Sequence, residues 1–112
     1  MIDSYKFGKM VIDGKSYTND LIIGPDSIQS HWWRETGHVL SLKDIQKTLD
    51  KKPELLIVGT GFMGLMNVDS EVKEYAKQKG IELIIQKSKK AVQTFNEKQS
   101  QGRVFGAFHL TC

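Results

Sequence analysis

The chain has 112 residues, of which 39% are hydrophobic and 26% charged, a balance that fits one globular domain over residues 1–112 and excludes a disordered or fibrous chain. The longest apolar run, residues 55–58, is too short for a transmembrane helix, and the first residues lack the features of a secretory signal. Because Cys112 is the single cysteine, no intrachain disulfide can form. These observations predict a cytoplasmic protein without a membrane partner.

The basic residues exceed the acidic ones by three, and the sequence pI is near 9.0. Nearly all of the basic residues are lysines, since Arg34 and Arg103 are the only arginines. The lysines are scattered, with small clusters at residues 51–52 and 87–90, and no zinc finger, basic helix or aromatic-interleaved pattern accompanies them. We therefore interpret the charge as a solvated lysine surface and expect no nucleic-acid partner.

The first 24 residues are predicted to form short strands. An apolar segment at residues 7–12 leads to Asp13-Gly14, a strong hairpin signal, and the chain returns through residues 15–17. A third strand is predicted at residues 21–23, closed by a Gly-Pro-Asp turn.

Residues 27–40 follow no clear period, apart from a short strand predicted at residues 39–40. A long irregular stretch in a compact domain is often functional. One of its tryptophans, Trp32 or Trp33, is expected in the core. Trp33 and Arg34 form a candidate interaction surface, because an exposed aromatic beside arginine is typical of interface centres.

From Ser41 onward the pattern alternates helices with strands. A capping box at Ser41 predicts a helix that Pro53 prevents from continuing, and residues 55–58 predict a strand buried on both faces. The other predicted elements are a helix that begins after Asp69 or Ser70 and ends at Gly80, a strand over residues 81–85, a helix capped by Ser88 and ended by Gly102, and a strand over residues 104–110. The pattern indicates an α/β domain with an N-terminal β addition.

Residues 59–64 match the G-x-G-x-x-G pattern of dinucleotide-binding loops, directly after the buried strand. However, the next helix is predicted to start only at residue 69 or 70, and the next strand ends in Gln86-Lys87 instead of an acidic residue for a ribose. The chain is also too short for two mononucleotide-binding halves. We therefore expect no cofactor.

A weaker interpretation of the same loop is anion binding. The strands before and after the second helix are expected to be parallel, so their carboxyl ends share the edge where open α/β sheets bind ligands. The loop amides could form an anion nest there, beside the lysines of residues 87–90, unless those lysines simply point into water. We also predict that Gly59 or Gly61 adopts a backbone conformation unfavourable to other residues.

Metal binding and nucleophilic catalysis have little support. His31, His38 and His109 lack zinc-type spacing, so no metal site is expected. Cys112 lies at a chain terminus, where preorganising a thiolate beside a base is difficult.

An ordered set of short motifs spans essentially the whole chain. It comprises Phe7-Gly8, Tyr17, W-R-E-T-G-H at residues 33–38, I-V-G-T-G at 57–61, Ala91-Val92, Phe95-Asn96, G-R-V at 102–104 and G-A-F-H-L-T-C at 106–112. Together these residues resemble the adipogenesis-associated, Mth-like domain family, whose fold is shared with a mitochondrial respiratory complex I assembly factor.

The resemblance implies a small three-layer α/β domain, in which helices flank a mixed central β-sheet and a β-hairpin is added at the N-terminus. Family members have no established reaction, and eukaryotic relatives are given assembly or scaffolding roles. The resemblance also implies a positively charged surface pocket, whose candidate residues here are Arg34, Gly59, Gly61, Arg103 and Asn96.

Two functional hypotheses follow. The first is a non-enzymatic interaction or assembly domain that binds a protein partner or a second copy of itself, and we expect this one because no nucleophile–base set is recognisable. The second is an enzyme or binding protein for a small anionic metabolite, held by loop 59–64. In that case Arg34 or Arg103 would pair with a carboxylate or phosphate, and His38 or His109 would be the general base.

Overall fold

A five-stranded mixed sheet forms the centre of the molecule, and the computed structural model describes all 112 residues. The strand order of this sheet is β5-β4-β10-β7-β9. Strand β10 runs parallel to β7 and antiparallel to β4, and β9 is parallel to β7 as predicted. The elements in chain order are β1 (Ile2–Lys6), β2 (Lys9–Ile12), β3 (Lys15–Tyr17), β4 (Leu21–Ile23), β5 (Ile28–Gln29), β6 (Val39–Leu40), α1 (Leu42–Asp50), β7 (Leu55–Thr60), β8 (Asn67–Val68), α2 (Ser70–Gln78), β9 (Glu82–Gln86), α3 (Ser88–Lys98) and β10 (Val104–His109).

The N-terminal strands form a separate antiparallel sheet in the order β1-β2-β3. Its β2–β3 turn is the predicted Asp13-Gly14 pair, and both residues have positive φ, 48° and 82°. The sequence did not predict β1, because only Ile2 of its five residues is buried. A long-range contact holds this strand: the side chain of Asn96 accepts from the Ile2 amide at 2.9 Å and donates to the Ile2 carbonyl at 2.8 Å.

The helices follow the sequence pattern closely, with one correction. At the start of α1, the Ser41 amide donates to the Asp44 carboxylate at 3.1 Å, as the capping-box pattern predicts. The Ser41 hydroxyl donates to the same carboxylate oxygen at 2.8 Å, a hydrogen bond that the pattern does not include. The prediction that Ser88 caps α3 is wrong, because Lys87 occupies the N-cap position and Ser88 is the first helical residue. The buried Ser88 hydroxyl instead joins two strand ends: it accepts from the Gly61 amide and donates to the His109 carbonyl.

Two apolar clusters cover the two faces of the central sheet. All six residues of β7 are buried, and they alternate between the faces. Leu55 and Ile57 pack with α3 and the N-terminal sheet, whereas Leu56 and Val58 pack with α1 and α2. This is the expected three-layer arrangement. None of the three helices has the length and hydropathy that crossing a bilayer requires.

Candidate functional site

A buried group of charged and polar side chains lies at the carboxyl end of β10. Asp20 precedes β4, Arg34 lies between β5 and β6, and His109 is the last residue of β10. Asp20 Oδ2 lies 2.8 Å from Arg34 Nη1 and 2.7 Å from His109 Nδ1. The exposed fractions of the three side chains are only 16%, 5% and 8% in the order Asp, Arg, His. We call these three residues the polar cluster.

The hydrogen bond to Asp20 places a proton on Nδ1 of His109. A carboxylate only accepts hydrogen bonds, so Nδ1 carries the proton that is donated to Asp20. Arg34 Nη2 lies 3.1 Å from His109 Nδ1, but both nitrogens are donors, so they form no hydrogen bond with each other. Arg34 Nη2 instead donates to the Gly37 carbonyl at 3.2 Å. His109 Nε2 is buried and has no hydrogen-bond partner.

Asp20 is held in its ionised form by its neighbours. Burial alone raises the pKa of this carboxyl, but hydrogen bonds from His109 and the Leu110 amide, the adjacent Arg34 guanidinium and the charge of His109 outweigh burial. The pKa of Asp20 therefore lies below its usual value of 3.8. The Asp20 carboxylate is balanced by the charge of Arg34, and its Oδ1 accepts from the Leu110 amide at 2.7 Å. It therefore joins its own segment to those that contain Arg34 and Leu110.

The two tryptophans next to the polar cluster have opposite environments. Trp32 is the predicted core tryptophan, 4% exposed, and its indole nitrogen donates to the Asp44 carbonyl at 3.0 Å. Trp33 is 76% exposed and borders a cleft of about 360 Å³ that Asp20 and His31 also line. Arg34 turns inward and lies over the Trp32 ring at 4.9 Å, so the expectation that it joins Trp33 on an exposed surface needs correction.

The loop after β7 is filled by the end of the chain. Gly61 has φ of +106°, which confirms the prediction of an unfavourable conformation at one of the two glycines, and an added Cβ would clash with the Cys112 carbonyl. The loop amides of Gly61, Phe62 and Leu65 donate to the Ser88 hydroxyl, the Thr111 carbonyl and the Cys112 carbonyl, at 2.9, 2.6 and 3.1 Å. These amides are occupied within the chain and do not form an open nest for an anion.

The five pocket residues implied by the resemblance do not come together. Arg34, Gly59 and Gly61 lie near the carboxyl ends of β7 and β10. Arg103 directly precedes β10, at the opposite end of the sheet, where its Nε donates to the Lys51 carbonyl at 2.9 Å. Asn96 holds the backbone of β1, as described above. Of the two candidate bases, His109 is in the polar cluster, whereas His38 is exposed. No three His, Cys, Asp or Glu side chains lie close enough together to hold a metal ion.

The sequence reasoning missed an exposed apolar surface at the carboxyl end of β7. Phe7, in the β1–β2 turn, packs edge-on against Phe62 with 6.0 Å between ring centroids. Phe7 is 53% exposed and Phe62 47%, and Met63 and Leu65 on the same loop are 60% and 48% exposed. We call these four residues the apolar end. The sequence shows aromatic and aliphatic residues in both loops, but it does not show that they are exposed. Without their exposure they cannot be told from core residues.

Lysines surround the apolar end. Lys87, Lys89 and Lys90, at the start of α3, line a surface pocket of about 280 Å³ together with Phe62 and Gln93. Lys6 and Lys9 flank the β1–β2 turn. None of these five lysines takes part in an ion pair of the structure. We call them the basic rim.

The comparisons with known proteins agree on the family. A family model described as "Protein of unknown function (DUF498/DUF598)" matches residues 2–110. A conserved hypothetical protein from Pyrococcus horikoshii is 27% identical, with a TM-score of 0.85 over 100% of this chain and 99% of that one. A Bartonella henselae protein named an outer membrane protein is 26% identical, with a TM-score of 0.83 over 99% and 94% of the two chains. A Mth938-like domain from Bordetella pertussis shares the fold, with a TM-score of 0.71 at 16% identity over 98% and 85%. The resemblance to an Mth-like domain is confirmed, and the chain belongs to the DUF498/DUF598 family of proteins of unknown function.

Proposed function

We propose that this chain is a non-enzymatic interaction or assembly domain that binds a protein partner through the apolar end. The observation that carries the proposal is the exposure of Phe7, Phe62, Met63 and Leu65, each about half exposed or more, on two adjoining loops. Exposed apolar side chains that adjoin one another, bordered by polar or charged groups, are typical of interaction sites. Single exposed apolar side chains elsewhere on a protein surface need no such explanation.

The polar cluster supports this proposal over an enzyme. A general base must reach a substrate, but His109 is buried and its Nδ1 proton is engaged by Asp20. The carboxylate of Asp20 is in turn balanced by Arg34. The buried carboxylate and guanidinium form an ion pair within the fold, which is the arrangement expected of a structural role.

The alternative, an enzyme or binding protein for a small anionic metabolite, has one observation in its favour. The pocket beside Phe62 is lined by three lysines that have no carboxylate partner. However, the amides of Gly61, Phe62 and Gly64 in loop 59–64 already donate within the chain. The lysines of this pocket also border the apolar end, so the interaction proposal accounts for both features and the metabolite proposal for only one.

Two further parts of the proposal concern contacts and compartment. Trp33 remains a second candidate contact, on its own and without Arg34, because its ring is largely exposed. We place the function in a reducing cytoplasm, since Cys112 is a free thiol and the single cysteine of the chain.

Site-specific photo-crosslinking in the native cells tests the proposal. A photoreactive amino acid is placed at position 62 on the apolar end, at position 33 as the second candidate contact, or at position 77 as an exposed control on α2. We expect discrete protein adducts from position 62 and none from position 77. Absence of adducts at position 62, or the same adducts from position 77, would contradict the proposal. Adducts from position 33 alone would move the contact surface to Trp33.

A further inference from the structure

We propose that the segment bound at the apolar end is an acidic, amphipathic stretch of a protein partner, with Asp or Glu side chains next to apolar ones. This inference rests on the proposed function and adds the chemical class of the partner. It is carried by the charge distribution around the apolar end, which differs from that of the rest of the molecule.

Four chain segments form this part of the surface, namely residues 5–9, 59–68, 86–93 and 109–112. Backbone hydrogen bonds tie them together: the Gly8 amide donates to the Leu110 carbonyl at 2.8 Å, and the Phe62 amide donates to the Thr111 carbonyl at 2.6 Å. The Ser88 amide donates to the Gly61 carbonyl at 3.0 Å. The four segments therefore present their side chains as one continuous unit.

These four segments contain the five lysines of the basic rim and no aspartate or glutamate. The chain has sixteen basic and thirteen acidic side chains, so elsewhere the acidic residues outnumber the remaining eleven basic ones. The carboxylate that contacts these segments is Asp20, through His109 and Leu110, and Arg34 balances it. The positive net charge of the protein is thus concentrated at one end, where it attracts an acidic partner.

The start of α3 also has an excess of positive charge. Helices α1 and α2 each have an acidic residue in the first turn, Asp44 and Glu71, as the helix dipole favours. Helix α3 has none, and Lys87, Lys89 and Lys90 lie there instead. The stem of Lys87 lies over Gly64, within 3.0 Å of where a Cβ would be, so its charge is held next to the apolar loop. A carboxylate from a partner would remove the unfavourable interaction between these charges and the dipole.

The occupant must be both apolar and acidic. A second copy of this chain that bound through the same surface would bring one basic rim against another, and a purely apolar segment would leave the lysines without counter-charges. The pocket of about 280 Å³ between Phe62 and the lysines is open and shallow, and apolar and acidic side chains of one segment could contact both Phe62 and the lysines there. We therefore assign the surface to a protein segment.

A peptide selection tests this assignment with a defined probe. A library of random displayed peptides is selected against the full chain, and the affinities of the enriched peptides are then measured by fluorescence anisotropy. We expect the enriched sequences to combine Asp or Glu with aromatic or aliphatic residues. Binding should weaken at least about tenfold in Phe62→Ser and in the double variant K89E/K90E. The control variant K77E/K79E has the same change in net charge at the opposite end of β9 and should bind within about twofold of wild type.

The outcomes separate this inference from the proposed function. The inference of an acidic segment would be overturned by any of three results: no peptide is enriched, the enriched peptides lack acidic residues, or they bind all variants equally. If position 62 still gives protein adducts in cells, the interaction domain stands and only the partner's chemistry is wrong. Co-sedimentation with phosphatidylserine vesicles, lost in the same variants and without any peptide enrichment, would assign the surface to anionic lipid and also overturn the inference. Circular dichroism and thermal melting establish that each variant is folded.

Discussion

Charged side chains are usually exposed and apolar ones buried, but the polar cluster buries charged groups and the apolar end exposes apolar ones. In the polar cluster, charged groups lie inside the protein, but Arg34 and Asp20 face each other at 2.8 Å. At the apolar end, Phe62 and its neighbours lie outside, bordered by lysines that have no carboxylate partner in the structure. In the polar cluster, charge is compensated within the fold. At the apolar end it is not, and we propose that a partner supplies the counter-charge.

The two regions share one chain segment, the residues that follow β10. The Leu110 amide donates to Asp20 in the polar cluster, and the Thr111 carbonyl accepts from the Phe62 amide at the apolar end. We therefore expect the polar cluster to position the apolar end without touching a partner. Changes in the polar cluster should affect stability, and changes at the apolar end should affect binding.

Replacing Asp20 with asparagine should have the largest effect on stability. The neutral side chain of asparagine leaves the buried guanidinium of Arg34 without a counter-charge. Breaking a buried ion pair in this way costs about 3 kcal/mol or more. Urea unfolding followed by tryptophan fluorescence measures the change. The matched control is Asp13→Asn, since Asp13 forms an exposed ion pair with the N-terminus, and it should cost less than about 1 kcal/mol. If both variants were equally stable, the polar cluster would not be structural.

Gly61→Ala should be the next most destabilising change, on the order of 2 kcal/mol. The φ of +106° is unfavourable to alanine, and its methyl group would also lie 2.8 Å from the His109 ring. Gly37→Ala is the control, because a Cβ there meets no atom within 4 Å. Equilibrium unfolding of both variants gives the comparison. Equal stability of the two variants would mean that neither the positive φ nor the close approach of His109 requires a glycine at position 61.

Acidification should reduce the difference in unfolding free energy between the wild type and Asp20→Asn. The pKa of Asp20 is lower in the folded state than in the unfolded state, so its ionised form stabilises the fold fully above the usual value of 3.8. This stabilisation is lost as the pH falls below 3.8 and through the folded-state pKa. Unfolding free energies measured at successive pH values should show a constant gap near neutrality that narrows in acid. A gap that persists unchanged in strong acid would argue against a stabilising carboxylate.

The smallest effect on stability is expected at the basic rim, and it has the opposite sign. K89E/K90E places acidic groups in the first turn of α3, where the helix dipole favours them, and should raise the unfolding free energy by under about 1 kcal/mol per residue. K77E/K79E places the same charges at the end of α2 and should lower it slightly. Thermal melting of the two double variants is the measurement. Destabilisation by K89E/K90E would show that the lysines serve the fold rather than a partner.

Local patterns predicted most of the fold. Asp13-Gly14 predicted its hairpin because both residues tolerate positive φ, and Ser41 with Asp44 predicted the start of α1 because the hydrogen bonds of a helix end involve near neighbours. Strand β1 was missed because only Ile2 of its five residues is buried, which leaves no apolar pattern to read. Ser88 was misassigned because its hydroxyl bonds to residues remote in sequence.

The sequence by itself determined the succession of strands and helices and the α/β class, because hydrophobic periodicity, turn residues and breakers act over a few residues. The three-layer arrangement was implied by the family resemblance. Only the tertiary structure decided which side chains carry the candidate site. Arginine is usually exposed and phenylalanine usually buried, so composition alone places Arg34 outside and Phe62 inside. Arg34 is buried because His109 and Asp20, from distant parts of the chain, meet it at the end of β10. Phe62 is exposed because the residues after β10 occupy the inner side of its loop.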